Sequence, residues 1–184
     1  TLSNFSGSGT SYTATFTPNV NSIANGVVSV ASGTFSDAAG NTNADGADAD
    51  NTVAMTANTI TPSVALSADK TALKIGETAT ITFTLSEASS DFTLADVTVS
   101  GGTLSSFASS GTTYTATYTP TFGTKASKNQ VSVASGKFSD AAGNFNADGA
   151  EANNTVELAV PMVLIGTPQP DSLAGASGDD YLSG

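Results

Sequence analysis

Between residues 78 and 85 apolar and hydroxyl side chains alternate without a break. Ala79, Ile81, Phe83 and Leu85 take one side, and Thr78, Thr80, Thr82 and Thr84 the other. A period of two with β-branched residues on the polar side predicts a β-strand with one buried face. The same alternation returns at Val97 and Val99 before a Gly101–Gly102 turn, and at Tyr114, Ala116 and Tyr118 before Pro120. Pro120 is expected to end its strand, because it has no backbone donor for the ladder. Val131 and Val133 predict a further strand, and Val156, Leu158 and Val160 the last. Ser63–Leu66 and Thr71–Ile75 supply one or two at the front, divided by the turn-prone Ala68-Asp69-Lys70. No window carries a helical period; Phe92–Asp96 is expected to form at most one short turn.

Six to eight short strands within about one hundred residues, separated by Gly, Asp, Asn and Ser, predict an all-β fold. The architecture expected is an antiparallel immunoglobulin-like Greek-key sandwich. Strands with one face packed and one face wet also explain the abundance of Thr and Ser.

The chain repeats itself. Residues 1–18 match residues 103–120 at 13 of 18 positions, and residues 28–53 match residues 131–156 at 22 of 26. Self-similarity at so long a period implies modules in tandem. Residues 61–160 form one complete module, residues 1–60 the C-terminal part of another, and residues 161–184 a linker with a different, nine-residue period. This division predicts a segment of a longer polypeptide, and it shifts expectation from catalysis towards reach, adhesion and display.

Composition narrows the chemistry. Five Lys, no Arg and sixteen acids leave a net charge of −11. No basic patch exists to neutralise phosphates, so neither nucleic acid nor an anionic membrane surface is an expected partner. Asp37, Asp45, Asp48 and Asp50, with Asp140, Asp148 and Glu151, make up seven of the sixteen acids. Such clustering favours bound cations. The absence of both Cys and His removes zinc, haem, iron–sulfur, thiol and His-based triad chemistry together. Zero Cys fits a reducing compartment, and equally a surface protein held by its core or by metal. No apolar run approaches membrane-spanning length.

Two motifs are candidate metal sites. The first recurs in both copies: Asp37, Asn41, Asn43 and Asp45 before Gly46, and Asp140, Asn144, Asn146 and Asp148 before Gly149. Asn-x-Asn-x-Asp-Gly sets oxygen-bearing side chains on alternate residues with Gly at the bend, as a calcium loop does. It departs from the EF-hand in its first residue, Asn, and in its twelfth, Thr52 or Thr155 in place of a bidentate Glu. Asp48, Asp50 or Glu151 are possible further ligands. The alternative is a hairpin loop built from Asx-turns, where the same residues are preferred for backbone reasons alone. The threonine ladders carry a similar choice between an ordered hydroxyl array and ordinary solvent-side strand residues, and the second is favoured.

The second motif is the nine-residue period. Gly175, Gly178 and Asp180, followed by Leu182, fit G-G-x-G-x-D-x-U-x with Ala176 in the second glycine position. One period earlier Gly166, Asp171 and Leu173 keep the first Gly, the Asp and the apolar residue. This segment resembles the RTX calcium-binding nonapeptide repeat. That resemblance implies a parallel β-roll, with Asp171, Gly175, Gly178 and Asp180 contributing to Ca2+ sites.

A second resemblance lies upstream. Gly76-Glu77-Thr78-Ala79-Thr80-Ile81-Thr82-Phe83, Asp96-Val97-Thr98-Val99-Ser100-Gly101-Gly102-Thr103-Leu104 and Phe138-Ser139-Asp140-Ala141-Ala142-Gly143-Asn144 resemble bacterial Ig-like repeats. Together the two resemblances imply a structural extender of a secreted, calcium-dependent RTX-type adhesin serving cell adhesion or biofilm. Such a protein is exported by a type I route to the surface of a Gram-negative cell. The expected partners are neighbouring Ig-like modules and calcium ions, with no membrane insertion and no catalysis. The rivals are modules that bind a carbohydrate or protein themselves, and an accessory region of a secreted RTX enzyme.

Overall fold

The computed structural model describes residues 1–44, 50–121, 128–148, 152–161, 163–165 and 181–183. The chain divides into two compact units, Thr1–Ile60 and Thr61–Gly184.

Seven of the described strands of the second unit form a sandwich. Strands β5 (Val64–Ala68), β6 (Ala79–Leu85), β8 (Gly102–Ser110) and β9 (Thr113–Pro120) form one sheet in the order β5-β6-β9-β8. Strands β7 (Val97–Ser100), β10 (Asn129–Val133) and β11 (Thr155–Leu158) form the other, in the order β7-β10-β11. All these pairings are antiparallel. In chain order the sheets hold strands one, two, five and four against three, six and seven, the constant-type immunoglobulin arrangement.

The alternation read at residues 79–85 has a direct counterpart in space. Ala79, Ile81, Phe83 and Leu85 are buried, while Thr80 and Thr84 face water. Tyr114, Ala116 and Tyr118 of β9 meet them from the same sheet, and Val131, Val133, Val156 and Leu158 from the facing one. Phe92 and Phe138, both from loops, close the core. Pro120 is the last residue of β9, as its missing donor requires.

Two segments differ from expectation. Thr71–Ile75 contains no strand; it makes a single parallel bridge, Ala72 to Ala159. There the leading strand leaves the first sheet for the second, and Leu73 and Ala159 donate to Ala159 and Thr71 carbonyls. The second difference is β8, which the period-two pattern does not announce. A register shift between Ser105 and Ala108, with Ser106 at φ +53°, places Leu104 and Phe107 three residues apart on the core side. A bulge breaks the alternation that would have revealed the strand. The expected turn at Phe92–Asp96 is a 3₁₀ turn, Leu94–Asp96, capped through Thr93 and Asp96. At the Gly101–Gly102 turn, Gly101 has φ +74°, and a Cβ on Gly102 would lie 2.5 Å from the Thr119 carbonyl.

Beyond the sandwich, β12 (Val163–Ile165) pairs with β13 (Tyr181–Ser183) in parallel.

Among the described residues the first unit has four strands: β1 (Leu2–Ser8) with β2 (Ser11–Phe16), and β3 (Gly26–Ser29) with β4 (Thr52–Met55). By the internal repeat they correspond to β8, β9, β10 and β11. The bulge is repeated too, at Asn4 with φ +51° between Ser3 and Ser6.

Candidate functional site

The loop between β10 and β11 begins at the edge of the core and returns to it. Phe138 is fully buried, and Ser139 bridges Phe145 to form a short hairpin. Its turn is an Asx-turn built on Asp140. One carboxylate oxygen accepts from the backbone N–H of Ala142 (2.9 Å) and Asn144 (2.8 Å), and the other from Asn144 Nδ2 (2.8 Å). Gly143, at φ +86°, donates to the Asp140 carbonyl. Burial pushes the Asp140 carboxyl up, but the donors from Asn144, Ala142 and Gly143 outweigh it and hold the group below the ordinary carboxylate value.

Asn146 is 2% exposed and turned towards the main chain. Its Oδ1 accepts from Lys137 N–H (2.6 Å) and Phe138 N–H (3.1 Å), and its Nδ2 donates to the Ala134 carbonyl (3.0 Å). Asp148 reaches furthest. Its Oδ1 accepts from Val64 N–H at 3.0 Å, a bond spanning 84 residues, and its Oδ2 from Asn154 Nδ2 at 3.3 Å. Asn154 also donates to the Val133 carbonyl. The motif thus fastens the loop to β10 and to the first strand of the module. A carboxylate or carboxamide among unpaired backbone donors satisfies groups that would otherwise be buried unbonded.

The first unit repeats these bonds with little burial. Asp37 accepts from Ala39 and Asn41 N–H and from Asn41 Nδ2, each at 2.9 Å. Asn43 accepts from Thr34 and Phe35 N–H and donates to the Ala31 carbonyl. The Asn41 side chain is the main cause of the lowered Asp37 carboxyl. Since the exposed copy keeps the bonds, the loop geometry is local and does not depend on the core around it.

The structure therefore brings Asp140 together with Asn144, and Asp37 with Asn41, while Asn43, Asn146 and Asp148 each serve the backbone. Among the described residues no three acidic side chains converge on a point able to hold a metal ion. Asp45, Asp171, Gly175, Gly178 and Asp180 lie outside the described residues.

One polar contact had no signal in the motif. Asp91, 48 residues before Ser139, accepts from both its N–H (2.9 Å) and its Oγ (2.7 Å), and also from Ser89 Oγ (2.6 Å). The Ser139 hydroxyl, then Ser89, holds the Asp91 carboxyl below its ordinary value. Ser89-x-Asp91 is recognisable as a turn; its partner across the module is not.

A family profile described as bacterial Ig-like domain matches residues 1–55 and 58–160. The chain belongs to the bacterial Ig-like domain family. Domains of this family are typically non-catalytic surface modules. The second match covers the whole bacterial Ig-like sandwich β5–β11. The first covers the four strands that correspond to β8–β11. No curated protein and no solved structure matches the chain. Among the described residues no helix is long and apolar enough to cross a membrane.

Proposed function

We propose that this chain is an extender segment of a secreted, calcium-dependent bacterial adhesin, ending in the first turns of an RTX-type export region. The observation that carries the extender reading is the path through the second unit. The chain comes in at Pro62, whose carbonyl accepts from Ala147 N–H, beside the Asp148–Val64 bond. It leaves at Ala159, against Ala72. Strand β5 carries the chain ~13 Å from Val64 to Ala68 at ~3.3 Å per residue, before it bends at Asp69 and Thr71 and reaches Ala72. A module that receives the chain at one pole and releases it at the other adds length with each copy.

The register of β12 and β13 supports the second half of the proposal. Val163 pairs with Tyr181, Leu164 with Leu182 and Ile165 with Ser183. Each offset is eighteen residues, two nonapeptide periods. A parallel return after two repeats is the register expected of a coil with two nonapeptides per turn, and Asp171 and Asp180 hold the same place in the two successive repeats of the sequence. Their carboxylates suit a hard, oxygen-seeking cation such as Ca2+. Folding of that coil outside the cell, where calcium is abundant, fits export through a type I route.

Calorimetry of the full chain in millimolar calcium and in chelator tests this. Calcium should bind and slow amide exchange at residues 163–165 and 181–183, and Asp171→Ala and Asp180→Ala should weaken both effects. Absence of binding at millimolar calcium would remove the calcium-dependent part. A reproducible hit for the chain on a glycan array would replace the passive extender with an adhesive module.

A further inference from the structure

Three of the four strand edges of the sandwich are blunted. The Val64 N–H at the head of β5 is taken by Asp148 Oδ1 at 3.0 Å, and Asp69 and Lys70 follow that strand. β7 has four residues and starts directly after Asp96. β11 also has four, one of them Glu157, which pairs with Lys128 at 3.1 Å. Short edges, charged side chains and capped donors keep sheets from joining one another.

β8 has none of these devices. It ends the order β5-β6-β9-β8 and, with nine residues, is the longest of the described strands. No charged side chain occurs from Val97 to Thr124, in a chain of net charge −11. Thr103, Ser105, Ser106, Ala108, Ser109 and Ser110 are exposed. Its one irregularity is the bulge between Ser105 and Ala108, which leaves residues 102–105 in unbroken register with β9.

The free backbone groups of that stretch follow from the pairing. Thr121 N–H donates to the Gly101 carbonyl at 2.9 Å, and bonded and non-bonded pairs alternate along an antiparallel ladder. Thr103 and Ser105 therefore bond β9, while Gly102 and Leu104 turn their N–H and C=O groups away from it. Pro120, which has no N–H, stands opposite Gly102, where none is needed. The Leu104 side chain packs on the core, and Thr103 faces water. The outer side of this stretch thus presents unpaired donors and acceptors between uncharged neighbours.

We propose that β8 pairs antiparallel with β8 of a second copy of this chain, about a twofold axis at Thr103. In that register Gly102 of each copy bonds Leu104 of the other, so every outward group in the stretch finds a partner. Thr103 meets Thr103 across the axis, and the two four-stranded sheets become one continuous sheet. The charge pattern selects a second copy as the partner. Two chains of net charge −11 repel over most of their surfaces, and this uncharged edge is where they approach at least cost. A twofold reverses strand direction, so the joined modules run in opposite senses. One such edge is a small contact of the weak, transient class.

Sedimentation equilibrium of the full chain over a concentration series tests this. The chain should dimerise, and more tightly as salt is raised, because screening removes the repulsion between acidic copies. Amide exchange at Gly102 and Leu104 should slow as the dimer forms. Thr103→Lys sets two like charges face to face and should weaken the dimer roughly fivefold or more. Mixing the Thr103→Lys chain with a Thr103→Glu chain should restore it, since the facing charges are then opposite. Ser132→Lys, on the outer side of β10, adds the same charge away from the edge and should leave the dimer intact. Unchanged melting of each variant at low concentration checks that the module itself is whole. A chain that stays monomeric at the highest concentration and salt would overturn the proposal. So would a dimer that Thr103→Lys leaves unchanged, one that salt dissociates, or one that protects residues 2–8 in place of Gly102 and Leu104.

Discussion

Asn146→Ala is the substitution that most directly tests the role assigned to the loop. Asn146 satisfies three backbone groups: Lys137 N–H, Phe138 N–H and the Ala134 carbonyl. Phe138 is fully buried, so its N–H has no water to turn to, and an orphaned buried donor costs ~1–3 kcal/mol. Lys137 and Ala134 are exposed residues whose groups rehydrate, so each lost bond there costs ~0.5–1 kcal/mol. The total is about 3 kcal/mol, enough to lower the melting temperature of a ~100-residue module by roughly 12–24 °C. The matching Asn43→Ala loses the same three bonds where water can replace them. It should cost ~1 kcal/mol or less, read as faster exchange at Thr34 and Phe35. Urea unfolding in calcium and in chelator supplies the decisive comparison. A backbone role predicts the same deficit in both, and predicts that Asn146→Asp also destabilises, because a carboxylate would face the Ala134 carbonyl. A deficit below ~1 kcal/mol, or one that appears only with calcium, would refute the reasoning.

Three further outcomes follow from the same geometry. Phe92→Ala removes a ring in contact with Phe83, Phe107, Tyr114 and Phe138, and should cost ~3–5 kcal/mol by urea unfolding. Asp148→Ala leaves the buried Val64 N–H unpaired; exchange at Val64 should accelerate and the module lose ~1–3 kcal/mol, in chelator as well as in calcium. Asp91 and Asp140 both titrate below the ordinary 3.8 when folded, so the unfolded chain takes up protons first as pH falls. Their contribution is complete well above that value and disappears as pH drops through it towards the lowered folded values. Melting temperature should therefore decline in acid below about pH 4, and Asp91→Asn should flatten that limb.

The strands that announced themselves did so through local pattern. Residues 79–85 and 114–118 alternate because each strand has one dry and one wet face, and that condition acts on every second residue. β8 meets the same condition but carries a bulge at Ser106, so its Leu104 and Phe107 fall out of phase and the pattern disappears. Thr71–Ile75 has strand-like composition, yet it lies where the chain changes sheets and finds only one bridging partner. The loop motif was legible as a set of oxygen-bearing side chains. Spacing alone left open whether those oxygens face an ion or the backbone, because an Asx-turn and a calcium loop select the same residues.

The amino-acid order by itself determined the modular repeat, the all-β class, most strand faces and the acidic, cysteine-free chemistry, since each depends on composition or on neighbours a few positions apart. Tertiary structure alone decided that Asp148 closes on Val64, that Asp91 grips Ser139, and that one copy of the phenylalanine cluster is buried while the other is exposed. Those outcomes depend on which distant segments share a surface. Contacts between residues 48 or 84 positions apart are set by how two sheets close over a common core, and no local period records that closure.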